Sequence, residues 1–332
     1  RFVKFPFKLY KNSKYWVPPI INEEINIFKP NVNPTLKNAD ISLFIAKENN
    51  KIVGRIAAII NWIEVKEQKI SKIRFGWFDV IDDINVTKKL IEKVNEIGKE
   101  NNLKYMEGPM GFSNLDKVGV LTHGFDEIGT MITWYNHSYY SSHFKKLNFK
   151  IEKEYLEKKF SFKNVDSDYY LKMSSIIKKR YDFKEISFDK TKDVMNNANE
   201  MFSLFNKSYS RLSSFVEIND IQKEYLKKKF LKFINPKFIS FTYNKDGNII
   251  GFAIIMPSYA KALQKMKGKL FPFGFYHLMN ARKYSKNLTL YLIGVDPEYQ
   301  NKGVTAILFS TLLQNLKGKD IEDCFRTPEL IE

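Results

Sequence analysis

The sequence predicts an α/β protein with α+β mixed sheets, built as two units that repeat one plan. Three observations carry this. Strand-like runs alternate with apolar-periodic helical stretches instead of segregating by type. Each half contains a hairpin: residues 43–46 and 52–60 flank the polar turn Glu48-Asn49-Asn50-Lys51, and residues 238–243 and 249–256 flank Asn244-Lys245-Asp246-Gly247-Asn248. The chain has 332 residues, 44% apolar, with 28 Phe and 18 Tyr, which is enough for two ordinary cores and too apolar for disorder.

In the first half the hairpin is followed by a strand at 73–80. Asp82-Asp83-Ile84-Asn85 then leads into a helix with Leu90, Ile91, Val94 and Ile97 on one face. A strand at 103–107 comes next. A second helix starts near Asn136, carries Tyr139, Tyr140, Phe144 and Leu147, and ends in Leu147-Asn148-Phe149; a strand at 155–162 closes the unit. Residues 1–165 therefore read as one complete unit. Residues 166–190 read as a helical connection, with Tyr169, Leu171, Met173 and Ile176 before the basic Lys178-Lys179-Arg180. The second unit, 191–332, opens with helices at about 194–209 and 218–233 and continues into its hairpin. An insertion at 258–286 holds Phe271-Pro272-Phe273-Gly274-Phe275-Tyr276. A strand at 288–295, a helix with Ile307, Leu308, Leu312, Leu313 and Leu316, and a strand near 321–326 complete the reading.

Charge and cysteine content narrow the function classes. The formal net charge is +17 and the pI about 9.5, which favours anionic partners in general. The lysines are spread over many helices and no recognition motif accompanies them, so dedicated nucleic-acid binding is not expected. No run of 18 apolar residues exists, so no transmembrane segment is expected. Cys324 is the only cysteine, which excludes an intrachain disulfide and any multi-thiolate site. His137 and His143 lack metal-ligand spacing, so no metal is expected. The chain starts at Arg1 without a charged-then-apolar leader pattern, and a cytoplasmic location is expected.

The most specific signal is the stretch Ile293-Gly294-Val295-Asp296-Pro297-Glu298-Tyr299-Gln300-Asn301-Lys302-Gly303-Val304-Thr305-Ala306. An apolar strand stops at Asp296-Pro297, a glycine-bearing loop follows, and a helix begins. The free amides and positive end of such a helix start form an anion site, and Gly303 lets the backbone approach a ligand closely. The spacing Gln300-x-x-Gly303-x-Thr305-Ala306 resembles the Q/R-x-x-G-x-G/A loop of the GNAT acyltransferases, with Thr305 where Gly or Ala is usual. The element order also resembles theirs, as does the ending Asn136…Leu147-Asn148-Phe149, with Asn148 in place of the usual Gly. Together with Trp16-Val17-Pro18-Pro19, Gly54-Arg55-Ile56-Ala57-Ala58 and Tyr135-Asn136, these features make the chain resemble bacterial tandem-GNAT proteins of unnamed substrate.

The resemblance implies two GNAT-like units. The second would be truncated at its C-terminus, because the pattern needs a further helix and strands after Glu332. It implies transfer of an acyl group, acetyl by default, from coenzyme A to a small-molecule or peptide amine. The pantetheine would lie along Ile293, Gly294 and Val295, one of whose amides would stabilise the oxyanion. The pyrophosphate would sit on Gln300, Asn301, Lys302, Gly303, Val304 and Thr305. The acid that protonates the thiolate would lie beyond Glu332, and Glu298 is the candidate base by nearness alone. The first unit has Asp82-Asp83 and no glycine where a pyrophosphate would sit, so no coenzyme is expected there.

The long segment 107–126 offers Ser113, Asn114, Asp116, His123 and Asp126 as candidate acceptor-binding groups; it reads equally as an Ω-loop over the sheet edge. Arg55, on an otherwise apolar strand, reads as a buried ion-pair partner or a ligand anchor. The aromatic stretch 271–276 reads as core, interface, acceptor cover or a membrane-contacting surface. Two other function classes remain open at this point: a non-catalytic tandem module that senses acyl-CoA or binds a partner, and an aminoacyl-tRNA-dependent transferase.

Overall fold

The computed structural model describes residues 1–332 apart from Asn114, Ser213, Ser214, Phe230, Lys232, Phe233 and Glu332. The chain forms two compact units. One comprises Arg1–Tyr155, Tyr259–Ala281 and Leu330–Glu332; the other comprises Leu156–Ser258 and Arg282–Glu329.

The first unit begins with two short helices, α1 (Phe5–Leu9) and α2 (Ile21–Ile27). The hairpin strands β1 (Ala39–Glu48) and β2 (Lys51–Asn61) turn at Asn49 and Asn50, whose φ values of 47° and 61° are those a two-residue mirror-image turn requires. Then come β3 (Lys72–Val80), α3 (Ile84–Glu100), β4 (Tyr105–Glu107) and α4 (Tyr139–Lys146). The sheet order is β1-β2-β3-β4, with antiparallel pairs except for the parallel β3–β4 pair. Alternation along β2 explains why it reads as one continuous apolar run. Ile56, Ala58 and Ile60 enter a core with Phe75, Leu90, Val94 and Phe144, whereas Ala57 and Ile59 face the opposite side with Trp77 and Phe112.

The second unit contains β5 (Tyr155–Ser161), α5 (Ser167–Tyr181), β6 (Lys184–Ser187), α6 (Thr191–Tyr209), α7 (Asp220–Lys229), β7 (Ile239–Tyr243) and β8 (Ile249–Pro257). Two helices, α8 (Ala260–Met266) and α9 (Gly274–Tyr284), separate β8 from β9 (Asn287–Val295), which is followed by α10 (Val304–Leu316) and β10 (Asp323–Leu330). The six strands run in the order β5-β10-β9-β8-β7-β6. β10 is parallel to β9, and the pairs β9–β8, β8–β7 and β7–β6 are antiparallel. Gly251 on β8 lets α10 settle onto the sheet, since a Cβ there would lie 2.4 Å from Val304 Cγ1.

Three placements differ from the sequence expectation. The strand expected to close the first unit, β5, is a neighbour of β10 in the second sheet. The connection 166–190 is not purely helical: after α5 it supplies β6, the far edge strand. The insertion after β8 packs with the first unit through residues 259–281. In each case the partner lies far away in sequence, where local periodicity carries no information. The division of the chain accordingly departs from 1–165, 166–190 and 191–332.

Candidate active site

β9 is the strand on which the site is built. It carries one extra residue relative to β8: Ile254 lies opposite Leu292 and Ile255 opposite Leu290, leaving Tyr291 bulged. A bulge bends and twists its strand. The parallel ladder to β10 runs from Asn287–Asp323 to Leu290–Arg326. Tyr291 O still accepts from Thr327 Oγ1 at 3.5 Å, and the ladder to β10 does not include residues 292–295. Asp296 N donates to Ile250 O on the β8 side. Strand alternation then turns the backbone groups of Ile293 and Val295 the opposite way, toward the β10 side. Tyr209, the last residue of α6, confirms that direction: its hydroxyl donates to Ile293 O at 2.9 Å. Burial pushes the Tyr209 phenol up to about 12.

The loop after β9 is held by its own carboxylate. Asp296 accepts from Glu298 N at 3.0 Å and pairs with Lys207 at 2.9 Å. One turn at Pro297–Tyr299 follows, and then Asn301 and Gly303 with φ of 62° and 79°. Gly303 is the residue before α10 and has no side chain to cap it, so the first-turn amides of Val304 and Thr305 have no acceptor within the helix. Lys302 Nζ, from the same loop, stands 4.7 Å from the centre of the Tyr299 ring. The glycine has a second reason to be there. A Cβ on Gly303 would lie 2.3 Å from Ile177 Cδ1 on α5, so its bare α-carbon faces protein and not an open space, contrary to the expectation that it makes room for a ligand.

Glu298, the candidate base, is 72% exposed and ion-paired to Lys207 at 3.0 Å, which places it at the surface and not at the edge of β9. The acceptor candidates do not converge. Asp116 Oδ2 accepts from Phe112 N and Ser113 N, both at 2.9 Å, and from Ser113 Oγ, so Ser113 and Asp116 shape their own loop. His123 and Asp126 are exposed, and the hydrogen bond of His123 is to the adjacent Thr122. Asn114 lies outside the described residues.

The first unit repeats the same device and fills it. β3 carries an extra residue at Trp77-Phe78, where Trp77 has φ 46°, and its parallel ladder to β4 ends at Arg74–Glu107. Met110 N then donates to Phe75 O at 2.7 Å, and a Cβ on Gly76 would meet Met110 O at 2.3 Å. The hydroxyls of Tyr139 and Tyr140 take Val80 O and Val80 N at 2.6 and 2.9 Å. The start of α3 is capped by Asp83, which accepts from Asn85 N. An anion would meet carboxylates and filled space there.

Arg55 resolves as a structural residue. Its Nε and Nη2 both lie 2.7 Å from Asp79 Oδ2, and Tyr10 Oη donates to Asp79 Oδ1 at 2.8 Å. A second buried chain links Arg74, Glu64, Lys72, Glu107 and Lys153 through contacts of 2.6–2.9 Å. Burial alone would raise the Glu107 carboxyl, but hydrogen bonds from Lys153 and Lys72 hold it at about 2. Of the two readings the sequence left open for Arg55, the buried ion pair is the one found, but its partner Asp79, the Glu64–Glu107 chain and Tyr209 were not anticipated. Among the described residues no cluster of His, Cys, Asp or Glu is placed to hold a metal, and no helix is long and apolar enough to cross a membrane.

This bulged strand running into a glycine loop and helix defines a class. Residues 198–326 match the family model of the GNAT acetyltransferases. The fold of the whole chain matches a tandem GNAT protein from the clavulanic acid biosynthesis pathway, with a TM-score of 0.53 at 7% identity over 97% of this chain and 82% of that one. The chain thus has the fold of two GNAT-like units on an α/β scaffold. Among curated proteins it is similar to protein YghO of Escherichia coli strain K12, 24% identical over 95% of this chain and 80% of that protein. It is also similar to the bacterial ceramide synthase of Caulobacter vibrioides, 22% identical over 90% of this chain and 78% of that protein.

Proposed function

We propose that the second unit transfers an acyl group from acyl-coenzyme A to the nitrogen of a long-chain amine. The observation that carries the coenzyme reading is the edge of β9 outside the β10 ladder, at residues 292–295, running directly into the Gly303 loop and the uncapped start of α10. The edge offers a strand for the amide-bearing pantetheine to pair with, and the loop offers amides and Lys302 to the pyrophosphate. The amine attacks the thioester carbonyl as the neutral base; its proton passes to solvent, the N–C bond forms and the C–S bond breaks. The inward amide of Ile293 or Val295 stabilises the oxyanion. Tyr209, protonated throughout the neutral range, gives its proton to the departing thiolate and recovers it from water.

The long-chain acceptor is supported by the likeness to a protein named as a ceramide synthase, since a ceramide is the amide of a long-chain amino alcohol. Purified protein is incubated with acetyl- or palmitoyl-coenzyme A and a long-chain amino alcohol, and thiol release and amide mass are followed. Amide formed with either donor supports the reading; hydrolysis without amide across long-chain and short polyamine acceptors refutes the transferase assignment.

A further inference from the structure

The helices between β8 and β9 have one anchored side and one bare side. On the anchored side Ala260, Leu263 and Met266 form a core with Val17, joined by Leu270 and Leu278. Gln264 Nε2 donates to Lys14 O and Trp16 O at 2.8 and 3.0 Å, and Ile21 N donates to Gly268 O. On the bare side Phe271, Phe273, Phe275, Tyr276 and Met279 are between 44% and 76% exposed. Single exposed apolar side chains are ordinary, but five large ones within one turn and the helix it opens are not.

The charge around them is one-sided. From Ser258 to Val295 the chain has no Asp or Glu. Lys261, Lys265, Lys267 and Lys269 are exposed beside the aromatic run, and the last turn of α9 adds Arg282 and Lys283. A second copy of this chain would bring the same lysines against themselves, which disfavours self-association. An aromatic face ringed by lysine is complementary to a surface that is apolar below and anionic above.

We propose that the α8–α9 segment docks the protein on an anionic phospholipid surface, with Phe271, Phe273 and Phe275 entering the headgroup boundary and the flanking lysines facing lipid phosphates. This stands independently of the acceptor proposed above.

The test is co-sedimentation of the full chain with phosphatidylcholine vesicles, with and without about one third phosphatidylglycerol. The account expects binding to the anionic vesicles that weakens at high salt, and little binding to the neutral ones. Replacing Phe271, Phe273 and Phe275 together with Ser should reduce the bound fraction about tenfold or more, as should Lys265→Glu with Lys269→Glu. The replaced side chains are exposed, so the melting temperature should not change. No binding to anionic vesicles, or unchanged binding by both variants, overturns the proposal. So does a dimer in light scattering that the triple Phe variant converts to monomer, since the patch would then be a self-interface.

Discussion

Gly303→Ala should destabilise the second unit by about 2–4 kcal/mol. The new Cβ would lie 2.3 Å from Ile177 Cδ1 and 3.0 Å from Cγ1, where carbon atoms need about 3.5–4 Å. Either α5 or α10 has to move, an overpacking cost of about 1–3 kcal/mol. The backbone adds about 1 kcal/mol, because φ is 79° and alanine disfavours that region. Ile177→Ala alone leaves a hole and costs about 2–5 kcal/mol. Combined, the two changes should be less damaging than their sum by about 1–3 kcal/mol, because the methyl of one occupies space vacated by the other. The molecule carries its own pair of probes. All four tryptophans (Trp16, Trp62, Trp77, Trp134) lie in the first unit, whereas the lone Cys324 is buried in β10, where burial pushes its thiol up to about 12. Urea unfolding followed by thiol labelling reads the second unit, and tryptophan fluorescence reads the first. At a urea dependence of about 2 kcal/mol per molar, the labelling midpoint should fall by about 1–2 M and the fluorescence midpoint should not follow. A Gly303→Ala protein with the wild-type labelling midpoint, or additivity with Ile177→Ala, would refute the packing argument.

Further expectations follow from the buried charges and from Tyr209. Asp79→Ala leaves Arg55 buried without its carboxylate and should cost the first unit about 3–5 kcal/mol, read from the fluorescence midpoint. The Glu107 carboxyl is held at about 2, below its unfolded value of 4.5; its contribution is present above about pH 5 and lost as pH falls toward 2. That shift caps the contribution at about 3 kcal/mol, and Glu107→Gln should flatten the acid limb of the fluorescence midpoint against pH. An unaltered limb would show that Glu107 is not the titrating group. Tyr209→Phe should lower kcat by about 10²-fold or more with little change in KM for acyl-coenzyme A. An equal loss from a rise in KM alone would assign the hydroxyl to holding β9 and not to proton transfer.

What was legible in the sequence was local. The Asn49-Asn50 and Asp246-Gly247 turns, the Asp83 helix cap and the Gly303 helix start each depend on residues within a few positions, and all are found where the pattern puts them. The resemblance carried by the Gly303 loop located the family domain. What was illegible depends on distant partners. Nothing in residues 155–161 says that their neighbour is β10, and nothing near Tyr10 announces Asp79, 69 positions away. The bulge at Tyr291 has no glycine to mark it and exists only through its register with β8. The role of Gly303 was half legible: a glycine opening the helix was read as room for a ligand, but the space its missing Cβ leaves is taken by Ile177, which local sequence does not show.

The central claim is that the loop opening α10 binds the coenzyme, and calorimetric titration of acetyl- and palmitoyl-coenzyme A into wild-type protein and Thr305→Glu tests it most directly. Thr305 is exposed in the first turn of α10, so a carboxylate there favours the helix by about 0.3–1 kcal/mol while repelling a pyrophosphate. The account predicts micromolar binding by wild type, and at least about a tenfold loss in a variant that melts no lower than wild type. Equal affinities in the two proteins, or no binding of either acyl-coenzyme A to wild type, would contradict it.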